Sequence, residues 1–139
     1  DALRRTRVAL HSGVLKGILW HQGESDSNDA LAANYESKLH DLISRLRREF
    51  GAPEAPFIVG QMGQFPERPW DSAHQQVDKA HQDLPGKVPH TAFVSSAGLQ
   101  HRGDKVHFDS VSYRELGRRY AEAFFRVMGD QRPAKPANL

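Results

Sequence analysis

The apolar positions of this chain fall into two alternating patterns. Val14, Leu15, Ile18, Leu19 and Trp20 crowd into one short run around Lys16 and Gly17, which predicts a strand over 14–20 covered on both faces. Leu31, Tyr35, Leu39, Leu42, Leu46 and Phe50 then return every third or fourth residue, so a long helix is predicted over 29–50. Asn28 or Ser27 can cap its start, and Gly51 with Pro53 stops it. Residues 57–61 read as a second strand that runs into a loop punctuated by Gly60, Gly63, Pro66 and Pro69. A polar helix follows over 71–84 and a third strand over 91–95. The last helix, over 110–128, has Tyr113, Leu116, Tyr120, Phe124 and Val127 on its apolar face. At the start, residues 3–10 form a short basic segment, the tail of a helix ending near Gly13.

Strands separated by helices of this length need crossover connections, which predicts an α/β fold: a three-layer α/β/α arrangement on a parallel sheet. Three strands make a thin sheet for such a fold. At least one further strand is therefore expected upstream of Asp1, and a start on Asp1 fits a processed or truncated chain. One domain is expected over 1–130, followed by a polar, proline-containing tail over 131–139.

Composition narrows the functional classes. The 139 residues suffice for one domain with a sizeable core, and 38% hydrophobic with 26% charged residues is ordinary for a globular protein. Nineteen Lys and Arg against 17 Asp and Glu leave a net charge of +2, and the basic residues are interleaved with acids, so nucleic acid is not expected as a partner. No stretch is long and apolar enough to predict a membrane span. With no cysteine there is no disulfide framework and no thiol nucleophile, and the chain suits reducing and oxidising compartments alike.

Candidate chemistry lies in two places. In Asp104-Lys105-Val106-His107 an acid precedes a histidine by three residues, so its carboxylate can accept the Nδ1 proton and hold the imidazole as a general base. A capping Asp beside a surface His would show the same spacing. The second place is Gly17-Ile18-Leu19-Trp20-His21-Gln22-Gly23-Glu24-Ser25-Asp26, where an apolar run ends abruptly in amides and carboxylates. In open α/β sheets, ligands bind at that end of the strands.

Together, Trp20-His21-Gln22-Gly23-Glu24-Ser25-Asp26, Asp104-x-x-His107-Phe108 and Tyr113-x-x-Leu116-Gly117-x-Arg119-Tyr120-Ala121 resemble the sialate O-acetylesterase and carbohydrate acetylesterase branch of the SGNH hydrolases, over nearly the whole chain. The resemblance implies an SGNH or flavodoxin-like fold and a serine esterase that removes O-acetyl groups from a carbohydrate such as sialic acid or xylan. It implies no cofactor and no metal, and it favours an extracellular or periplasmic setting. It makes His107 the base, Asp104 its orienter and Gln22 an oxyanion-hole donor. Gly23 allows the backbone to approach the substrate closely or to take a left-handed turn, and Glu24 holds the site loops by hydrogen bonds. Trp20 belongs more to the core than to a sugar platform, and His21 stands where the family commonly has an aromatic residue.

The family's nucleophile sits in a Gly-x-Ser block after an earlier strand, and nothing upstream here matches it. Ser12 precedes a strand instead of following one, and Gly60-Gln61-Met62-Gly63 has Met where Ser is needed. The expectation is a serine outside this chain, on a missing N-terminal segment. Three alternatives stay open: Ser25 in a nucleophile-elbow-like turn, a metal held by His101, Asp104 and His107, or a non-catalytic binding or structural fragment. His74 and His81, on the polar helix, read as solvated or capping residues.

Overall fold

In the computed structural model, residues 1–129 are described, so the predicted tail over 131–139 lies outside the described residues. The element order is α1 (Ala2–Ala9), β1 (Ile18–Trp20), α2 (Tyr35–Glu49), β2 (Phe57–Gly60), α3 (Ser72–Lys87), β3 (Thr91–Val94) and α4 (Ser110–Val127). The strands form one parallel sheet in the order β1-β2-β3, with Ile18 opposite Phe57 and Phe57 opposite Thr91. None of the described helices is long and apolar enough to cross a membrane.

Alternation along β2 divides the core. Phe57 and Val59 point into a cluster with Tyr35, Leu39 and Ile43 of α2 and Val77, Ala80 and Leu84 of α3. Ile58 points the other way, onto Leu116, Tyr120 and Ala123 of α4. All three β2 side chains are fully buried, as the middle strand of a sheet with helices on both faces requires. The predicted three-layer α/β/α fold is thus formed, with α2 and α3 on one face and α4 on the other. Arg47 ties the layers at one end: Nε donates to Ala55 O, and Nη2 donates to Pro89 O and His90 O.

The strand expected over 14–20 shortens to Ile18–Trp20, and it is not covered on both faces. Among the described residues it is an edge strand paired with β2 alone, leaving Val14 at 76% and Leu19 at 62% exposure. No residue of α1 is buried, so that helix does not supply the missing cover. The helix expected from residue 29 begins at Tyr35, because two 3-10 turns, Glu24–Asp26 and Ala32–Asn34, take up the connection. Asn28 caps that approach, its Oδ1 accepting the Ala30 and Leu31 N–H groups. α3 runs past the expected stop at residue 84 to Lys87, with Pro85 carried in its last turn. That helix is also less solvated than its polar sequence predicts, since Asp78 and His81 are buried.

Gly60 is where the sheet leaves no room. A Cβ there would run into the Tyr120 hydroxyl and lie 2.9 Å from His21 Nδ1. Tyr120 uses that hydroxyl to donate to Trp20 O at 2.6 Å, linking α4 to the end of β1. Gly60→Ala is expected to lower stability by about 1–3 kcal/mol through overpacking. Urea unfolding at constant m would measure it, and an unchanged midpoint would show that Tyr120 yields freely.

Candidate active site

The loop after β3 presents the acid and the histidine on a short hairpin. His101 bridges to Phe108, Arg102 N–H donates to His107 O at 3.0 Å, and Asp109 N–H donates to Gln100 O at 3.0 Å. At the tip, Gly103 and Lys105 take positive φ (115° and 60°), and for lysine this left-handed conformation is strained. The strained turn folds Asp104 back over the chain. Its Oδ1 accepts the Val106 and His107 N–H groups at 3.0 and 2.8 Å, and its Oδ2 lies 2.7 Å from His107 Nδ1.

A carboxylate can only accept, so Nδ1 carries a proton, and in the neutral ring Nε2 keeps its lone pair. Arg102 Nε donates to the same Oδ2 at 2.8 Å. The His107 backbone N–H, the imidazole N–H and Arg102 together hold the Asp104 carboxyl well below the usual carboxylate range. The acid stays ionised, and a charged partner favours the imidazolium that proton abstraction creates. The His107 side chain is 56% exposed, open to a reacting group. Arg102 was not legible as part of this arrangement from spacing alone.

Behind the loop a buried polar network sets its position. Gln61, directly after β2, donates from Nε2 to Asp78 Oδ1 at 3.1 Å, while its Oε1 accepts from Ser96 N at 2.9 Å and from the Ser95 and Ser96 hydroxyls. Ser96 Oγ also bonds Met62 O at 2.8 Å. Burial pushes the Asp78 carboxyl up, against the Gln82 and Gln61 hydrogen bonds that favour its charge. β2, α3 and the loop carrying the histidine are thereby sutured together. The Gly60–Gly63 block holds Met62, 1% exposed, as a core residue.

At the end of β1 the predicted residues separate. Gln22 is half-buried and lines a depression with Trp20, Asp26, Tyr35, Lys38, Leu39 and Leu42. Glu24 is exposed and faces a different depression, shared with Gly63, Trp70, His74, Lys105 and Val106. Glu24 therefore stands across from the loop that carries the histidine. Among the described residues its carboxylate makes no hydrogen bond to the site loops. Gly23 is buried, and a Cβ on it would come within 2.7 Å of Met62 Sδ and 2.9 Å of Val77 Cγ1. Its close approach is to the protein's own core. Trp20 also belongs there, its ring 6.1 Å from Phe57. His21 packs on Phe108 with ring centroids 5.8 Å apart.

The alternatives find less support. His101 accepts the Gly103 N–H on Nδ1 and turns Nε2 toward Glu67 at 3.7 Å. Among the described residues no three metal-ligating side chains converge, and His101, Asp104 and His107 are not brought together in such a group. Ser25 is exposed in its 3-10 turn, and no described serine hydrogen-bonds His107. His74 pairs with Asp71 at the start of α3, whereas His81 is fully buried against Tyr35. The sequence predicts an apolar-face residue at Tyr35 and a solvated or capping one at His81, and the structure buries both.

An imidazole oriented by an acid, presented beyond the last strand of a parallel sheet, defines a class: α/β proteins that gather their polar side chains at the carboxyl ends of their strands. Residues 1–126 match the family model described as carbohydrate esterase, sialic acid-specific acetylesterase, and the chain belongs to that family. A curated relative from Arabidopsis thaliana, "Probable carbohydrate esterase", is 29% identical over 114 residues, 81% of this chain and 41% of its own length. The X-ray structure of that Arabidopsis protein superposes with a TM-score of 0.78 at 27% identity, covering 89% of this chain and 50% of the other. A Xanthomonas citri structure described as a novel carbohydrate acetylesterase gives 0.65 at 25% identity, covering 81% and 26%. The chain thus spans half or less of the length of these relatives.

Proposed function

We propose that this chain supplies the base, its orienter and one oxyanion donor of a serine esterase that removes O-acetyl groups from a carbohydrate, the nucleophilic serine lying outside these 139 residues. The observation that carries the reading is the Asp104–His107 hydrogen bond, which leaves Nε2 as a free base on an exposed ring. His107 Nε2 takes the serine proton as the hydroxyl attacks the acetyl carbonyl. A Gln22 amide N–H stabilises the oxyanion of the tetrahedral intermediate. The imidazolium returns its proton to the departing sugar oxygen, leaving acetyl-serine. Water, deprotonated by His107, then releases acetate and restores the serine.

The family description and the Xanthomonas citri acetylesterase support acetylated carbohydrate as the substrate class. The test uses p-nitrophenyl acetate and a fluorophosphonate probe. The chain alone should neither turn over nor label, and adding the serine-bearing N-terminal segment should produce both. Within that assembly, Gln22→Ala is expected to lower kcat about 10²–10³-fold. Labelling of the chain alone that Ser25→Ala abolishes would put the nucleophile inside it and overturn the proposal. Hydrolysis that is lost with EDTA and leaves no label would overturn it in favour of a metal. An assembly that stays inert would favour a non-catalytic binding fragment.

A further inference from the structure

Gln22 is gripped at both ends of its side-chain amide, and one grip leads to a buried histidine that the proposed chemistry does not use. Tyr35, the first residue of α2, places its hydroxyl 3.0 Å from Gln22 O and 3.3 Å from Gln22 Oε1. On the other side, Gln22 Nε2 donates to Asp26 Oδ2 at 2.5 Å. The flipped amide would set its oxygen against the Asp26 carboxylate, so only one orientation satisfies both neighbours.

The direction of the remaining bond follows from the same reasoning. Both Gln22 oxygens can only accept, so they take the single Tyr35 hydroxyl proton. With that proton so engaged, His81 Nε2, 2.8 Å from the hydroxyl, is assigned as a donor to it, beside the Trp20 indole N–H at 3.5 Å. The other ring nitrogen is therefore bare, and His81 Nδ1 is buried without a hydrogen-bond partner among the described residues. An unpaired lone pair is tolerable there, whereas a proton on Nδ1 would be a buried donor facing no acceptor. Burial, with His21 nearby, holds the ring's pKa down to about 4, so the ring is neutral at neutral pH.

We propose that Tyr35 and His81 are positioning residues for Gln22: the chain His81 Nε2–H to Tyr35 O–H to Gln22, closed by Asp26, fixes the amide in one orientation and leaves one N–H unengaged. An oxyanion donor is effective when it is aligned before charge develops, because no reorganisation is then needed. The link to catalysis rests on the reading of Gln22 given above. The positioning itself does not.

Nitrogen-15 NMR of the chain tests both. His81 should show a bare, pyridine-type Nδ1 and a protonated Nε2, and the Gln22 amide pair should be shifted from the free glutamine position. Tyr35→Phe should collapse that pair toward the free position. His81→Leu should do the same, while His81→Gln, which keeps an N–H donor, should restore it. A Gln22 pair unmoved by Tyr35→Phe, or a proton found on Nδ1, would overturn the proposal. Tyr35→Phe removes a single oxygen, so it decides the matter if the His81 variants do not fold. In the assembled esterase, Tyr35→Phe should lower kcat about tenfold with KM unchanged. A collapsed amide pair with unchanged kcat would support the positioning and remove Gln22 from the oxyanion hole.

Discussion

His107→Ala is expected to lower kcat of the assembled esterase on the order of 10⁴–10⁶-fold, the range seen when a serine esterase or protease loses its base. KM should change little, because the imidazole transfers protons and makes no large contact surface. Asp104→Asn should cost about 10⁴-fold, since an amide facing Nδ1 no longer demands a proton there and the other tautomer blocks Nε2. The two losses should not add. Once the base is gone, its orienter has nothing to orient, so the double variant should match His107→Ala within a few-fold. Steady-state hydrolysis of an acetyl ester measures all three, and a His107→Ala assembly that retains a tenth of its rate would remove His107 from the reaction.

The second large effect concerns stability and pH. His81 has a pKa near 6.5 when the chain is unfolded and about 4 when it is folded, where burial opposes its charge. Between those values the unfolded chain binds a proton that the native protein refuses. Stability contributed by neutral His81 is therefore complete above pH 6.5 and falls away as the pH drops toward 4. The displacement corresponds to about 3 kcal/mol. Urea midpoints from pH 7.5 to 3.5 should fall accordingly, and the difference from His81→Gln, in which every other titrating group is kept, should isolate this histidine. Parallel curves would show that His81 titrates alike in both states.

Much of the architecture was visible in the sequence because it rests on repeating chemistry. The α4 stripe of Leu116, Tyr120 and Phe124, and the dense run at 57–60, each bury one continuous surface, and a period records such burial directly. β1 was read too long because apolar residues at 14 and 15 signal burial only if something covers them, and the described chain leaves Val14 open. The start of α2 was missed for the opposite reason: Leu31 continues the helical spacing through a 3-10 turn that the spacing cannot distinguish.

The site shows a similar division. Asp104 and His107 could be found because their partnership is local, with a fixed sequence spacing. Tyr35, His81 and Asp78 could not, because what matters about them is a neighbour 13 to 46 residues away. A polar residue such as His81 in a helix of mixed composition carries no mark of burial. Gly23 was found for a reason that proved incomplete, since glycine signals close approach without saying what approaches.

The hairpin at 101–109 has a consequence of a different kind. Among the described residues, the hydrogen bonds that orient His107 come from this one stretch of chain: the Val106 and His107 amides, the Arg102 guanidinium, and the rungs from Arg102 to His107 and from Asp109 to the adjoining Gln100. Asp104 and His107 thus form a self-contained cassette whose alignment is written into one short stretch of chain. The neighbouring depression at Glu24, Trp70 and His74 borrows residues from this cassette but lends it no bonds. Substitutions at Glu24, Trp70 or His74 should therefore change the depression while leaving the Asp104–His107 hydrogen bond in place.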